Sequence, residues 1–497
     1  MNILLIYVPS RTGFSKMNLP LGLLYVAGII ERCGHKAIIL DLYLHSDGDV
    51  SKSEMISNYI EEHKPSVIGY GGIATSYGMT KRLSHYVRER YPDIQQVAGG
   101  PLSSTYELLL THTNIDVVFH GETEISLPIF INHFDKKVTI YDTPGISYVC
   151  DGKIVKNPLP NQIADIDTIP LPAYHAIDIN RYLDPIEQWL GHYEKMLGAN
   201  PYYQEILRTI GSKKYITQMI TSRGCTHHCS FCYRHVRGVR QNSVKYIIEH
   251  MKYLISNYHI DGFQFSDELF NSSLEWVLEF CDAIEENGLD IIYFVAGARI
   301  DKMNEQVLRR LKETGCIEVN YGHESGSDII LKEYKKGVSR KQNYEITCLT
   351  RKVGMLCPVQ IVIGSPGETN ETIKETIQFL KDVDAYQYSI NYLIPLPETP
   401  IWKYVKQQDL IQDVEKYLGE VASLGGGPLV NLTKVPEKVW TNWATLIHFE
   451  LRLYYYYKVH RKKYYLFKST HRFLERIWRL VPRQIQGLVP SRLRKFY

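Results

Sequence analysis

The chain has 497 residues, with 57 Lys and Arg against 54 Asp and Glu, and a formal net charge of +3. This length predicts about two to four domains, while 44% hydrophobic and 22% charged residues exclude a wholly disordered chain. The nearly balanced charge gives no reason to expect a nucleic acid partner. No apolar run reaches the roughly 18 residues of a membrane-spanning helix, and the N-terminus lacks the features of a signal peptide. We therefore expect a cytoplasmic protein.

Residues 1–150 alternate apolar strands with amphipathic helices. The predicted strands are NILLIYV, KAIILDL, SVIGYGG, DIQQVAGGP and IDVVFHGETE. This alternation predicts an α/β domain with a Rossmann-like parallel sheet, and ligands of such sheets bind beyond the carboxyl ends of the strands. The candidate loops there are Ser10–Thr12, Gly71–Tyr77, Gly99–Ser103 and Gly121–Glu124. Their glycines allow close backbone approach to a ligand, but none forms G-x-G-x-x-G, and tight turns alone would also explain them.

Residues 151–213 are predicted to form a proline-containing connector, and residues 214–402 repeat a strand and a helix six times. Six units are fewer than the eight of a closed barrel, so we predict an open, partial (β/α)6 barrel. Active sites of such barrels collect at the carboxyl ends of the strands. The candidate residues at those ends are Cys225–Cys232, Asp267, Glu268, Arg299, Glu324, Ser325, Gly326, Gly364, Pro366, Gly367, Pro395 and Pro397.

Residues 403–497 are predicted to be helical. From residue 451 to 497 there are 13 Lys and Arg and a single acid, Glu475, interleaved with aromatic residues. This mixture is typical of segments that contact a membrane surface or an anionic partner. The alternative is a basic helical extension that packs on the body of the protein.

Three of the nine cysteines form a compact motif. Cys225, Cys229 and Cys232 follow the spacing C-x3-C-x2-C, whereas the other six are scattered and are expected to be buried thiols. Closely spaced thiolates favour an iron–sulfur cluster, zinc or copper(I). A structural zinc would need a fourth ligand, for which His227, His228 and His235 are near in sequence. A cubane cluster on three cysteines would leave one iron open, and inert thiols are the third alternative.

The motif SRGCTHHCSFCYR resembles the signature C-x3-C-x-aromatic-C of radical S-adenosylmethionine (SAM) enzymes, with Phe231 at the aromatic position. FSDELF (265–270), YGHESGS (321–327) and IGSPGET (363–369) resemble further family elements in the same order. PLGLLYVAGIIERCGH, AGGP and GETE resemble the cobalamin-binding domain that precedes the barrel in one branch of this superfamily. Over about residues 1–460, the chain is identified as a member of that branch.

The resemblance implies three cofactors and a set of residues that bind them. Cys225, Cys229 and Cys232 would hold three irons of a [4Fe–4S] cluster, whose fourth iron would bind SAM. The residues implied for SAM are Ser266, Asp267 and Glu268 at its amino group, Arg299 at its carboxylate, Glu324 at its ribose, and Gly364 to Gly367 near its adenine. In the structural alternative, Asp267 pairs with Arg299 and Glu324 only caps its strand. The residues implied for cobalamin are Gly71, Thr75, Tyr77, Gly99 and Gly100.

One motif of many cobalamin domains is missing. The sequence D-x-H-x-x-G, whose histidine binds cobalt, does not occur, and the corresponding segment reads VPSRTGF. The resemblance then implies cobalamin bound without a histidine from below, as is common in this branch. The same absence would fit a domain that binds no cobalamin.

The implied activity is reductive cleavage of SAM to a 5′-deoxyadenosyl radical and C-methylation of an unactivated carbon, with flavodoxin or ferredoxin as electron donor. The alternatives are an anaerobic cyclase or oxygen-inserting enzyme of the porphyrin-ring-forming type, a non-catalytic cobalamin or metal-binding sensor, and a zinc-stabilised scaffold. The basic, aromatic C-terminal segment suggests a hydrophobic small-molecule substrate, such as a lipid or tetrapyrrole, and peripheral membrane contact.

Overall fold

The structure is a computed structural model that describes residues 1–10, 18–44, 51–136, 138–187, 190, 201–234, 236–421 and 429–459. Within these residues two seven-stranded sheets dominate the fold, and a two-stranded hairpin is inserted in sequence between two strands of the second sheet. The four-part organisation predicted from the sequence can be compared with these sheets.

The N-terminal unit is a mainly parallel sheet with strand order β2-β1-β3-β4-β5-β6-β7. Its strands are β1 (Asn2–Tyr7), β2 (Lys36–Asp41), β3 (Val67–Gly71), β4 (Gln95–Gly99), β5 (Val117–Phe119), β6 (Ile146–Cys150) and β7 (Lys153–Lys156). Its helices are α1 (Leu21–Arg32), α2 (Lys52–His63), α3 (Tyr77–Arg90), α4 (Tyr106–His112) and α5 (Ser126–Asp135). The strands β1 and β3 are almost wholly buried because helices cover both faces of the sheet. This confirms the predicted Rossmann-like domain.

The predicted domain boundary at residue 150 falls inside this sheet. The antiparallel hairpin of β6 and β7 pairs Cys150 with Lys153 and continues the sheet to Lys156. The sequence reasoning missed it because these strands are short and half exposed, which leaves little apolar periodicity to detect.

The second sheet has the strand order β16-β15-β14-β13-β12-β9-β8. Its strands and the β10–β11 hairpin are β8 (Asp184–Pro185), β9 (Tyr215–Met219), β10 (Ser222–Cys225), β11 (Gly238–Gln241), β12 (Gly262–Ser266), β13 (Ile292–Ala298), β14 (Cys316–Glu324), β15 (Val359–Ile363) and β16 (Tyr388–Tyr392). The associated helices are α6 (Pro201–Ile210), α7 (Val244–Tyr258), α8 (Leu274–Glu286), α9 (Glu305–Glu313), α10 (Asp328–Glu333), α11 (Arg340–Val353) and α12 (Asn370–Asp382). The six strands β9 and β12–β16 are parallel, which confirms the partial barrel. The predicted connector supplies β8, the antiparallel edge strand.

Alternate residues of the barrel strands face two different environments. Phe263, Phe265 and Val295 pack outward in one core with the surrounding helices. Ile216, Ile292 and Ile317 point the other way and pack with Ile206 and Ile210 of α6. Helix α6 covers these inner residues, so apolar side chains close the base of the barrel.

The C-terminal region consists of helices that pack against both units. They are α13 (Pro400–Gln407), α14 (Val414–Val421), α15 (Glu437–Trp440) and α16 (Trp443–Val459). Trp443, Ile447 and Leu451 of α16 are buried in the core formed by β15, β16 and α12. The beginning of the basic segment therefore packs over the barrel. Residues 460–497, which carry most of the charge of this segment, lie outside the described residues.

None of the helices in the described part of the chain is long and apolar enough to span a membrane.

Helix α14 is joined to the N-terminal unit by the Glu415 carboxylate. It accepts hydrogen bonds from Tyr77 Oη at 3.0 Å and His112 Nδ1 at 2.8 Å, and it pairs with Lys81. One carboxylate thus binds three groups that lie far away in sequence.

We expect Glu415→Ala to lower the free energy of unfolding by about 2 kcal/mol, because three polar groups lose a charged partner. Urea titration followed by circular dichroism would measure the change. The matched control is Glu420→Ala on the same helix, whose contact with Lys416 is mostly exposed and spans 4.0 Å. Equal effects of the two substitutions would contradict the role assigned to Glu415.

Candidate active site

A single cavity of about 740 Å³ lies between the carboxyl edge of the N-terminal sheet and the mouth of the barrel. The N-terminal unit lines it with residues that include Tyr7, Gly71, Gly72, Gly99, Gly100, Glu122 and Glu124. The barrel and its hairpin line it with Gln218, Ser222, Arg223, Gly224, Val236, Ser266 and Glu268. The edges at which each sheet is expected to bind ligands therefore face each other across one space.

Three cysteines lie beside this cavity on one anchored loop. Cys225 ends β10, Cys229 is buried, and the Cys232 amide donates to the Cys229 carbonyl at 3.3 Å. The loop is fixed by Ser230, whose amide donates to the Tyr334 carbonyl at 3.0 Å. All three thiols are free of disulfides, so they are available as ligands.

Cys229 and Cys232 share a hydrogen bond that favours the thiolate at Cys229, whereas the same bond and burial raise the pKa of Cys232. A hydrogen bond from Cys232 lowers the pKa of Cys229 to about 6, and the positive charges of Lys336 and Arg299 act in the same direction. The Nε2 atom of His227 on the same loop is buried without a partner among the described residues. The loop thus offers sulfur ligands in a positive setting, as an anionic iron–sulfur cluster requires.

The zinc alternative requires several ligands that converge on one ion. Among the described residues, no three His, Cys, Asp or Glu side chains are close enough to hold a single metal ion. His228 Nδ1 contacts Arg234 instead, and His235 lies outside the described residues. A cubane cluster makes a different demand, because each thiolate binds its own iron atom. The assignment of the three cysteines to such a cluster remains a prediction.

Asp267 lies at the end of β12 and organises the entry to the cysteine loop. Its Oδ1 atom accepts hydrogen bonds from the amides of Thr221 and Ser222, at 2.8 and 2.6 Å, and from both hydroxyls. Its Oδ2 atom is buried without a partner in the described part of the chain. Burial raises the pKa of Asp267 to about 6. The Oδ1 atom therefore binds the backbone and hydroxyl groups of Thr221 and Ser222, and the Oδ2 atom is available to a cationic ligand group.

Ser266 and Glu268 flank Asp267 and both line the cavity. Burial raises the pKa of Glu268, and the nearby Asp267 and Glu122 carboxylates raise it further. An ammonium group bound here would relieve this repulsion. The contact of these residues with the amino group of SAM stays a prediction.

Arg299 and Glu324 do not form the alternative pairs considered from the sequence. Arg299 donates through Nε to Asp301 at 2.7 Å and through Nη2 to the Lys336 carbonyl at 2.8 Å, rather than to Asp267. Glu324, at φ 62°, accepts from Lys336 Nζ at 2.8 Å. Lys336 is therefore a site residue that the sequence reasoning missed, because it lies in a loop after α10 that carries no recognisable motif.

The two glycines predicted near adenine have occupied amides. The Gly364 amide donates to Glu368, and the Gly367 amide donates to both Glu333 carboxylate oxygens at 3.0 Å. Gly364 has a φ of +96°, which a side chain would strain. These glycines shape the end of β15, and any contact with a ligand there has to use their carbonyls or their surfaces.

The cobalamin candidates divide into two groups. Gly71, Gly99 and Gly100 line the cavity, and a Cβ atom on Gly71 would lie 2.6 Å from Leu23. Thr75 and Tyr77 do not line it. The ring of Tyr77 packs in the core, where its hydroxyl donates to Glu415, because the first turn of α3 points away from the sheet edge.

A buried ionic cluster joins the two units at the cavity wall. Arg223 contacts Glu122 at 3.0 Å and also Glu124, while Arg240 contacts Glu122 at 2.7 Å. The exposed fractions of these four side chains lie between 6 and 15%. The GETE loop of the N-terminal unit is thus bonded to the β10–β11 hairpin, whose first strand ends in Cys225. We refer to Glu122, Glu124, Arg223 and Arg240 as the interdomain ion cluster.

Comparison with known families follows this division of the chain. The model of the Radical SAM superfamily matches residues 219–380, and the model of the B12 binding domain matches residues 17–131. The chain is a radical SAM enzyme with a cobalamin-binding domain. Its cofactors are accordingly a [4Fe–4S] cluster, SAM and cobalamin. The free thiols, the unpartnered Asp267 oxygen and the glycine-lined cavity fit these groups.

Several characterised and uncharacterised proteins are similar over most of the chain. An uncharacterized methyltransferase of Pyrococcus horikoshii is 28% identical over 83% of this chain and 84% of its own length. The cytidylyl-2-hydroxyethylphosphonate methyltransferase of Streptomyces wedmorensis is 27% identical over 74% of both chains. The anaerobic magnesium-protoporphyrin IX monomethyl ester cyclase of Rubrivivax gelatinosus is 22% identical over 80% of this chain and 68% of its own.

Two solved structures share the fold of the enzyme. The radical SAM methyltransferase TsrM of Kitasatospora setae, with cobalamin and a [4Fe–4S] cluster bound, aligns with a TM-score of 0.64 at 18% identity over 82% of this chain and 78% of its own. The cobalamin-dependent radical enzyme OxsB aligns with a TM-score of 0.60 at 18% identity over 84% of this chain and 56% of its own. At this identity the likeness establishes the two-unit fold.

The raised pKa of Asp267 predicts a pH-dependent contribution to stability. Its folded pKa of about 6 exceeds the ordinary value of 3.8, so the folded protein retains a proton there that the unfolded chain releases. The contribution is greatest below about pH 4 and falls as the pH rises to 6. Relative to Asp267→Asn, which keeps the acceptor oxygen, the wild type should lose up to about 3 kcal/mol between pH 4 and 7. Urea titrations of cofactor-free protein measure this, and a pH-independent difference would contradict it.

The interdomain ion cluster predicts a large effect of a small substitution. We expect Glu122→Gln to reduce the free energy of unfolding by roughly 3 kcal/mol, because it leaves two buried guanidinium groups short of a charge. The control is Glu305→Gln, which removes an exposed pair with Arg309 on α9 and should cost under about 0.5 kcal/mol. Faster proteolysis between residues 157 and 183 in Glu122→Gln would locate the change to the joint between the units.

Proposed function

We propose that the enzyme cleaves SAM reductively and uses the resulting 5′-deoxyadenosyl radical, together with cobalamin, to methylate an unactivated carbon of a small molecule. The observation that carries this proposal is the single cavity of about 740 Å³ that both units line. A radical formed at the barrel mouth and a methyl group carried on the N-terminal sheet would have to meet at the same substrate carbon. A shared cavity supplies that proximity.

The cofactors supply the electron transfer, radical and methyl-transfer chemistry, and the protein supplies position and shielding. Glu268 and the free oxygen of Asp267 present negative charge to the amino group of SAM. Lys336 and Arg299 present positive charge beside Cys229, where a carboxylate and an anionic cluster would come together. The charges are therefore complementary to the two ends of the amino acid part of SAM.

The walls of the cavity are largely apolar. Leu19, Leu23, Leu127 and Phe130 contribute apolar surface on the side of the N-terminal unit, and Val236 does so from the β10–β11 hairpin. A carbon radical would react with few groups in such surroundings, which protects an intermediate until the methyl group arrives. This is a role of the chain itself.

The similarity to methyltransferases over most of the chain supports methyl transfer. The second candidate is a cyclase that uses the same cofactors without methylation, and it is favoured by the similarity to the cyclase of Rubrivivax gelatinosus over 80% of this chain. A low-potential donor such as flavodoxin or ferredoxin would supply the electron. The lipid or tetrapyrrole substrates and the membrane contact suggested by the C-terminal segment rest on residues 460–497, which lie outside the described residues.

The test uses the full chain reconstituted anaerobically with iron, sulfide and cobalamin, and then reduced in the presence of SAM with a deuterated methyl group and a panel of candidate small-molecule substrates. We expect 5′-deoxyadenosine and a product that carries deuterium. Cys229→Ala should reduce 5′-deoxyadenosine formation at least about 1,000-fold, because it removes a ligand of the cluster that supplies the electron, and enzymes typically accelerate reactions by about 10⁶-fold or more. Cys150→Ala, which removes an exposed thiol from β6, should leave it unchanged.

The outcomes separate the candidate functions. If the product lacks deuterium but 5′-deoxyadenosine is formed, the proposed methylation is wrong and the reaction is a cyclisation or an oxidation. If iron and sulfide analysis shows an intact cluster but no 5′-deoxyadenosine is formed, the result contradicts an enzymatic function and favours a sensor.

A further inference from the structure

Tyr25 brings a phenol to the cavity between the two units. It lies on α1, is 7% exposed, and lines the cavity together with Ser266 and Glu268 of the barrel. Within the described residues its hydroxyl has no hydrogen-bond partner, and the Arg223 guanidinium lies 5.0 Å from the centre of its ring. Burial raises the pKa of Tyr25, and the nearby Tyr246 hydroxyl raises it further. The phenol is therefore neutral, and it presents an O–H bond to the space in which a radical would form.

Further aromatic side chains continue from Tyr25 into the interior. Tyr246, His250 and Tyr253 lie at positions i, i+4 and i+7 of α7, so they form one stripe along this helix. The ring centre of His250 lies 6.1 Å from that of Tyr246 and 5.7 Å from that of Tyr174. Burial raises the pKa of Tyr174, and the hydroxyls of Tyr25 and Tyr246 raise it further. The phenol in the cavity and the stripe on α7 are thus neighbours in space.

These aromatic side chains extend to the protein surface. The ring centres of Tyr253 and Tyr258 are 6.0 Å apart and lie 6.4 and 6.1 Å from that of Tyr174. Both are half-buried, whereas Tyr174 is 0% exposed. We refer to the whole group as the tyrosine chain, with the members Tyr25, Tyr246, His250, Tyr174, Tyr253 and Tyr258. It connects the cavity to the solvent at the end of α7.

Tyr174 and His250 form a buried pair in the middle of the tyrosine chain. The Tyr174 hydroxyl lies 2.9 Å from His250 Nε2, and both side chains are almost completely buried. Burial lowers the pKa of His250 to about 4, so its imidazole is neutral near pH 7 and can take the hydroxyl proton at Nε2. Packing alone does not require this pair, because apolar side chains would fill the space without burying polar atoms. A phenol that can pass its proton to a neighbour also loses an electron more easily.

We propose that the tyrosine chain discharges a 5′-deoxyadenosyl radical that forms while no substrate occupies the cavity. The inference rests on the SAM cleavage of the proposed function and adds protection of the enzyme as a second function. In the first step the radical carbon takes the hydrogen atom of the Tyr25 hydroxyl, so that a C–H bond forms, an O–H bond breaks and a tyrosyl radical is left. A phenolic O–H bond is weaker than an alkyl C–H bond, which makes this step favourable. A bound substrate lies between SAM and Tyr25 and reacts first.

The remaining steps restore every side chain. An electron moves from Tyr174 through Tyr246 to the Tyr25 radical, which takes up a proton from water in the cavity, while the Tyr174 proton moves to His250 Nε2. The two outer tyrosines then pass an electron to Tyr174 from the low-potential donor that also reduces the cluster, and His250 returns the proton. In sum, one electron from the donor and one proton from water convert the 5′-deoxyadenosyl radical to 5′-deoxyadenosine.

The first test locates the hydrogen atom. The full chain, reconstituted with cluster and cobalamin, is exchanged into D2O and reduced with dithionite in the presence of SAM alone. Hydroxyl hydrogens exchange with D2O and C–H hydrogens do not, so we expect most of the 5′-deoxyadenosine to carry one deuterium by mass spectrometry. Tyr25→Phe, which removes a hydroxyl without a partner among the described residues, should lower the deuterated fraction at least about fivefold. Tyr148→Phe, on β6 and away from the cavity lining, should leave it unchanged.

Undeuterated 5′-deoxyadenosine, or an equal deuterated fraction in Tyr25→Phe, would overturn this proposal and leave the proposed function intact. If no sample forms 5′-deoxyadenosine, the proposed SAM cleavage is wrong and this proposal is wrong with it.

The second test follows the radical along the tyrosine chain. Electron paramagnetic resonance of samples frozen during the same reaction should show a tyrosyl signal that Tyr25→Phe abolishes. Tyr174→Phe should keep the deuterium in 5′-deoxyadenosine but change the hyperfine splitting of the signal, because the splitting depends on the side-chain torsion of the tyrosine that holds the unpaired electron. An unchanged spectrum in Tyr174→Phe would confine the radical to the cavity and contradict transfer through the chain.

Discussion

The arrangement of the molecule depends on the interdomain ion cluster. Arg223 lies two residues before Cys225, and its partners Glu122 and Glu124 follow the last parallel strand of the N-terminal sheet. Buried ion pairs gain little net stability, since desolvation offsets most of the attraction, but they tolerate few alternative geometries. The pairs therefore fix the cysteine loop relative to the cobalamin-binding edge.

Two further carboxylates build the frame of the barrel mouth in the same manner. Asp267 gathers the amides and hydroxyls of Thr221 and Ser222 on one oxygen, and Glu324 binds Lys336. Each carboxylate connects the end of one strand to a segment elsewhere in the barrel. Residues that would bind SAM are thus also residues that hold the site together, so substitution changes shape and charge at once.

The fold and the candidate site could be predicted where they follow from local sequence patterns. Alternating apolar strands indicate both sheets, and the cysteine spacing and the position of Asp267 at the end of a strand indicate the site. Lys336 and the contacts of Arg223 could not be predicted, because they join residues about 12 and 100 positions away from them in sequence. Tyr77 was expected to contact cobalamin because it ends a glycine-containing loop, but the first turn of α3 directs its ring into the core. The direction of a side chain depends on the helix that follows, which a loop motif does not specify.

The composition of the C-terminal segment has a structural explanation in its described part. The segment is basic and aromatic, yet its described part, α16, uses Trp443, Ile447 and Leu451 to cover the outer face of β15 and β16. Those aromatic and apolar residues are explained by packing, and they carry no information about the substrate.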